Sequence, residues 1–164
     1  MSPKSADSAH LDRIDQRILH ELQLNAKLTN TELAGRVALS ESACLRRVRR
    51  LEEIGMIRGY VCLVDQSSAG FPDNVFVQIT LHSQQRDDLA AFEDAITAIP
   101  EVMECYLMSG VSDFIVRVIV ADARDYERIH SQHLTQLPGV DRVHSSFALR
   151  TVVKRTEIPI KGYE

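Results

Sequence analysis

Four arginines fall within five positions, Arg46, Arg47, Arg49 and Arg50, inside the stretch LSESACLRRVRRLEEIGMIRGY from Leu39 to Tyr60. A planar guanidinium donates to two acceptors at once, which suits phosphate oxygens and the paired acceptors of a guanine edge. Just ahead of the run, Ser42 and Ala43 are small enough to let a helix N-terminus approach a groove closely. Behind the good N-cap Ser40, the residues Cys44, Val48 and Leu51 recur at helical spacing, so a helix from about Glu41 to Ile54 has one apolar face that must be buried. At about 100° per residue, Ser42, Ala43, Arg46 and Arg50 fall on the opposite side, with Arg47 and Arg49 on the flanks. The competing reading is a solvated charged face, but such faces interleave acids with bases, and here the acids come only at Glu52 and Glu53. The DNA-contacting set expected from this stretch is Ser40, Ser42, Ala43, Arg46, Arg47, Arg49 and Arg50.

Other chemistry is sparse. No G-x-S-x-G, P-loop or H-E-x-x-H motif occurs, so no nucleophile or phosphate cradle is indicated. Cys44, Cys62 and Cys105 are far apart in apolar contexts and read as reduced packing residues, neither a redox pair nor a zinc site. His130 and His133 lie one helical turn apart without a third ligand nearby, so they read as a helix-face pair. Neither a metal nor a cofactor is expected. The first ten residues lack the apolar core of a signal peptide, and no run approaches the roughly 18 apolar residues of a membrane span, so a soluble cytoplasmic protein is expected.

The net charge of −4 divides unevenly along the chain. Residues 1–64 carry 10 Lys and Arg against 8 Asp and Glu, whereas residues 65–164 carry 9 against 15. Only the first half suits a polyanion.

The elements that must hold the arginines follow from pattern. Residues 1–10 are polar and expected to be disordered. Asp12 and Asp15 resemble a capping pair, and Leu11, Ile14, Ile18 and Leu22 form a stripe, giving a first helix that ends near Asn25. Thr29 and Glu32 make a capping box ahead of Leu33, Ala34 and Val37, giving a short second helix from Asn30 to Val37. Two residues then lead to Ser40, so helices two and three form a helix-turn-helix with helix one as its core. After Gly55, the alternation of Ile57, Tyr60, Cys62 and Val64 predicts an extended, wing-like segment. Residues 65–73 read as a linker.

Beyond it, Val75, Val77, Ile79 and Leu81 alternate as a strand, and Leu89, Phe92, Ile96 and Ile99 share a helical face that Pro100 terminates. Strands over Val102–Ser109 and Phe114–Val120 follow, joined at Gly110. Asp122 caps a helix from Ala123 to about Gln136, and a last strand runs from Val140 to about Leu149. The order is β-α-β-β-α-β, a ferredoxin-like arrangement, and the whole chain is expected to be α+β. Ile99-Pro100-Glu101-Val102 and Leu137-Pro138-Gly139-Val140 punctuate the two helix-to-strand passages alike.

These residues carry a family likeness. LDRIDQRIL, NAKLTNTELA, LSESACLRRVRRLEEIGMIRGY and GVSDF together resemble the Lrp/AsnC, or feast/famine, transcription regulators from Leu11 to about Val153, and the arginine run looks closer to the leucine-responsive branch than to the asparagine-responsive one. The resemblance implies a winged helix-turn-helix over residues 11–64 and a ferredoxin-like effector-binding and oligomerisation domain over 74–153, with 154–164 a tail. It further implies double-stranded DNA and a small effector, an amino acid above all, as partners, with dimers through the sheet assembling to octamers and no membrane. Two departures stand out. Ala38 occupies a turn position where the family usually has glycine, and an alanine at positive φ costs about 1 kcal/mol. Glu41 stands where proline is common; it favours the helix dipole but repels phosphate.

A free amino acid needs an acceptor for its ammonium and donors for its carboxylate. A glycine turn beside an acid offers both, through the backbone N–H groups at Gly110 and the carboxylate of Asp113. By resemblance, Leu107, Met108, Ser109, Gly110 and Val111 line the pocket, and Thr135 and Leu137 of a neighbouring dimer close it. Taken without the resemblance, Asp113 reads first as a turn acid capping its own hairpin. Two further readings stay open. One is an enzyme like siroheme decarboxylase, which resembles the family in both domains and would show bound tetrapyrrole as colour. The other is an architectural DNA-packaging protein with little sequence preference.

Overall fold

The computed structural model describes residues 11–160. The described residues divide into two compact units, one made of residues 11–62 and 153–160 and the other of residues 63–152.

The first unit holds helices α1 (Arg13–Leu24), α2 (Asn30–Val37) and α3 (Glu41–Glu53). Each begins on a side-chain cap. Asp12 Oδ1 accepts from the N–H groups of Ile14 and Asp15, Thr29 and Glu32 close a reciprocal capping box, and Ser40 Oγ accepts from Ala43 N–H. Between α2 and α3, Ala38 sits in the left-handed region at φ 56°, ψ 46°, which is the strained turn that the missing glycine predicts. Ile18, Leu19, Leu33, Ala34, Val37, Cys44 and Leu51 close the core, with Val48 and Ile57 partly buried against it. The stretch from Ile57 to Val64 forms no strand, and Val61 and Val64 are exposed.

The second unit is a four-stranded antiparallel sheet in the order β2-β3-β1-β4, built from β1 (Asp73–Leu81), β2 (Val102–Leu107), β3 (Phe114–Val120) and β4 (Val140–Phe147). Helices α4 (Arg86–Ile96) and α5 (Ala123–Gln132) complete the β-α-β-β-α-β order. Strand alternation decides the faces: Val75, Val77 and Ile79 of β1 and Val116, Val118 and Val120 of β3 are all fully buried, and they pack with Phe92 of α4 and Ile129 of α5. Phe92 stacks on Phe114 with ring centroids 4.3 Å apart. The opposite face carries Phe76, Ile115, Arg117 and Tyr106, away from the core that α4 and α5 share with the sheet.

The helix expected to reach Gln136 stops at Gln132. His133 adopts φ −123°, ψ −65°, and a single 3-10 turn, Leu134–Gln136, delivers the chain to β4. Residues 65–70 are a compact turn in which Asp65 Oδ1 accepts from Ser68 N–H at 2.7 Å; a second contact, from Gln66 Nε2 to the Phe71 carbonyl at 2.7 Å, ties that turn to the strand entry. No helix among the described residues is long and apolar enough to cross a membrane.

Candidate functional site

In the first unit, α3 is aimed by its neighbours. Asn30 Nδ2 donates to the Glu41 carbonyl at 2.9 Å, fastening the first turn of α3 to that of α2. Arg36 of α2 reaches Glu21 of α1 at 2.8 Å. The arginine run itself is divided. Arg47 donates to Asp12 Oδ2 at 2.6 Å and to Asp15 Oδ1 at 2.8 Å, and Arg50 donates to Asp15 Oδ2 at 3.1 Å. The acids missing from α3 are therefore supplied by α1, some thirty residues earlier. A search for partners along one helix could not find them, although the capping pair in LDRID was the visible sign.

This geometry sorts the expected contacts. Arg47 is largely covered, and the carboxylates of Asp15 and Asp12 hold its guanidinium protonated still more firmly than usual. Arg50, placed by the helical wheel at the pole furthest from the core, instead turns its head toward the start of α1 and shares it with Asp15. Arg46 and Arg49 are exposed and have no acidic partner among the described residues. Ser40 and Ser42 are exposed at the N-terminus of α3, with their hydroxyls 3.3 Å apart, and Ala43 is half-buried. The cations of α3 that keep exposed, unpaired heads among the described residues are thus Arg46 and Arg49, one in each half of the helix, with Ser40 and Ser42 at its start.

In the second unit, the turn between β2 and β3 has a well-defined anchor. Asp113 is buried, its Oδ2 accepts from Leu81 N–H at 2.7 Å and its Oδ1 from Gln84 Nε2 at 2.6 Å. Its own N–H donates to the Ile79 carbonyl at 2.9 Å, and its carbonyl accepts from Met108 N–H at 2.8 Å. The carboxylate thus faces inward, clasping the end of β1. Gln84, which completes the clasp, had no sequence signal because its partner is 29 residues away. Around the tip, the backbone N–H groups of Ser109, Gly110, Val111 and Ser112 donate to nothing among the described residues. Leu107, Met108 and Val111 flank them with exposed side chains, Val111 completely so. Thr135 is exposed, whereas Leu137 belongs to the core of its own unit and its side chain does not reach the surface. No three His, Cys, Asp or Glu side chains among the described residues cluster as metal ligands.

Comparison with known proteins gives these two sites their context. A winged helix-turn-helix DNA-binding model matches residues 11–58, and the model of the Lrp/AsnC ligand binding domain matches residues 74–158. The chain belongs to the Lrp/AsnC family. Among its Lrp/AsnC relatives, the Bkd operon transcriptional regulator of Pseudomonas aeruginosa is 41% identical over 152 residues, covering 93% of this chain and 99% of that one. The leucine-responsive regulatory protein of Escherichia coli is 37% identical over 158 residues, covering 96% of each. A transcriptional regulator from Neisseria meningitidis, solved in complex with L-Met, superposes with a TM-score of 0.88 at 32% identity, covering 93% of this chain and 98% of that one. This Lrp/AsnC protein is a DNA-binding transcriptional regulator that carries a small-molecule-binding domain.

Proposed function

We propose that the protein is a cytoplasmic, amino-acid-responsive regulator in which residues 11–64 read DNA while residues 74–153 bind the effector and assemble the oligomer. The observation that carries the effector reading is the β2–β3 turn. Its backbone N–H groups at Ser109, Gly110, Val111 and Ser112 have no protein partner among the described residues, and the nearby side chains of Leu107, Met108 and Val111 are exposed and apolar. Free backbone N–H groups in a turn suit a carboxylate, and apolar neighbours suit an uncharged side chain on the same molecule. Asp113 enters as the residue that holds the turn in shape. Thr135 of a neighbouring dimer is the residue offered to close the pocket. That a family relative was solved with L-Met supports an amino acid as the ligand class.

On the DNA side, Arg46 and Arg49 reach the duplex with Ser40, Ser42 and Ala43 at the helix start, while Arg47 holds α3 against α1 and Arg50 divides between the two tasks. One helix reads too few base pairs to be selective, so a two-fold pair across the sheet face opposite the core, joined into an octamer, supplies the second reader.

A thermal-shift panel of the common amino acids against the full chain tests the effector reading. A ligand at 100 times its dissociation constant adds about 2.7 kcal/mol to stability. At least one uncharged amino acid is expected to raise the melting temperature by several degrees. A flat panel, with DNA binding intact, removes amino acids as the effector class.

A further inference from the structure

Residues 153–160 form neither helix nor strand and are exposed along most of their length, yet they lie in the first unit, whose other residues precede Leu63. Two observations fasten it there. The Gln23 side-chain amide grips the backbone of Ile158 from both sides, with Nε2 donating to the Ile158 carbonyl at 3.2 Å and Oε1 accepting from the Ile158 N–H at 2.8 Å. Two residues on, Ile160 is half-buried and packs against the helix-turn-helix core. The Ile158 side chain itself is 71% exposed, so it is the main chain that is held at this point. A glutamine amide that satisfies both backbone groups of one residue acts as a short piece of strand, and the period of two in extended chain puts Ile160 in position for the core.

We propose that residues 153–160 are a releasable strap that completes the DNA-binding unit, docked on it by the Gln23 hydrogen bonds and the packing of Ile160. The chain crosses from the first unit to the second at Cys62–Leu63 and crosses back at Val152–Val153. The returning crossing leaves directly from β4 through Ala148, whose N–H donates to the Asn74 carbonyl of β1 at 2.9 Å. The main chain from Ala148 to Ile158, ten residues on, is anchored at its far end only while Gln23 holds it. The grip suits release, because two neutral hydrogen bonds and one half-buried side chain form a weak latch beside a well-packed core.

Lys154 and Arg155 place tryptic sites at the start of the strap, and they supply the test. Protease cleavage needs a locally detached backbone, so the rate of cleavage after Arg155 in the full chain, followed by mass spectrometry, measures strap opening. Gln23→Ala and Ile160→Ser are each expected to raise that rate at least tenfold. The melting of the first unit, followed in the same proteins, shows whether its three helices stay folded. A second, function-level measurement uses DNA: docking in the full chain predicts that both variants bind an operator fragment more weakly than the parent and bind it equally to each other. Cleavage after Arg155 that is as fast in the parent as in Gln23→Ala overturns the strap. So does unchanged operator affinity in both variants.

Discussion

Asp15 of α1 and Arg47 of α3, 32 positions apart in sequence, meet at 2.8 Å, and Asp15 is only 1% exposed. The same carboxylate takes Arg50 at 3.1 Å on its other oxygen. Removing the acid leaves Arg50 without its counter-charge and Arg47 with Asp12 alone at the seam between α1 and α3. Asp15→Ala should destabilise the first unit by about 3 kcal/mol, the low end for a broken buried pair because Arg50 keeps access to water. Thermal or urea unfolding followed in the first unit checks this. The double variant Asp15→Ala/Arg47→Met should recover part of the loss, since it buries no unpaired charge.

Asp12 gives this seam a pH dependence. The Asp15 backbone N–H first, and the Arg47 guanidinium with it, hold the Asp12 carboxyl below its usual range. A depressed folded value means the contribution is complete above about pH 4 and is lost as pH falls through the lowered value. Melting temperature should therefore drop more steeply in acid for the parent than for Asp12→Asn, which still caps the helix but carries no titrating charge. Parallel acid limbs for the two proteins would show that Asp12 is not the group concerned.

Ala38 is strained at φ 56° and lacks a reason in packing to be alanine, being exposed. Ala38→Gly removes the left-handed penalty, partly offset by the greater freedom of glycine in the unfolded chain. A net gain of about 0.5 kcal/mol is expected, read as a melting temperature a few degrees higher. Operator affinity should not fall.

Arg46 and Arg49 are predicted to separate from Arg47 in their effects. Arg46→Ala and Arg49→Ala should each cost about 1 to 3 kcal/mol of operator binding if they read bases, or flatten the salt dependence by about one counterion if they hold phosphates, with melting unchanged. Arg47→Ala should lower the melting temperature clearly. Titration of a promoter fragment at two salt concentrations separates the cases.

Asp113 clasps β1 through Leu81 N–H and Gln84 Nε2, so its loss leaves a buried N–H unanswered. Asp113→Ala should destabilise the second unit by about 2 to 3 kcal/mol and abolish effector binding through a displaced turn. Gln84→Ala removes only one of the two donors and should weaken effector binding less. Calorimetry with the amino acid that scores in the thermal panel, alongside a melt, distinguishes a lost turn from a lost contact.

The periodic features were legible in the sequence because they are local. Capping boxes at Asp12 and Thr29, the cap at Ser40, the alternation through Val75 to Leu81 and the acid cap of α5 at Asp122 each depend on residues within four positions of one another. The turn at Ala38 was marked by the family resemblance, in which glycine is usual there and which left open a different or a strained turn; the strained one is found. A local rule also marked where α3 buries Cys44 and Leu51.

What the tertiary structure decided are the long-range meetings of charge and backbone. Helical spacing gives the direction of Arg47 and Arg50 but not what stands there, and only the packing of α1 on α3 brings Asp15 within reach of both. The orientation of Asp113 was likewise open in sequence: a G-x-x-D turn permits the carboxylate to face out toward a ligand or in toward its sheet, and the antiparallel register of β1 with β3 puts the Leu81 N–H where the inward direction wins. Gln23 and Ile158, 135 positions apart, carry no pattern at all. Their pairing exists because the sheet returns the chain to the unit where it began, a consequence of topology that no window of neighbouring residues contains.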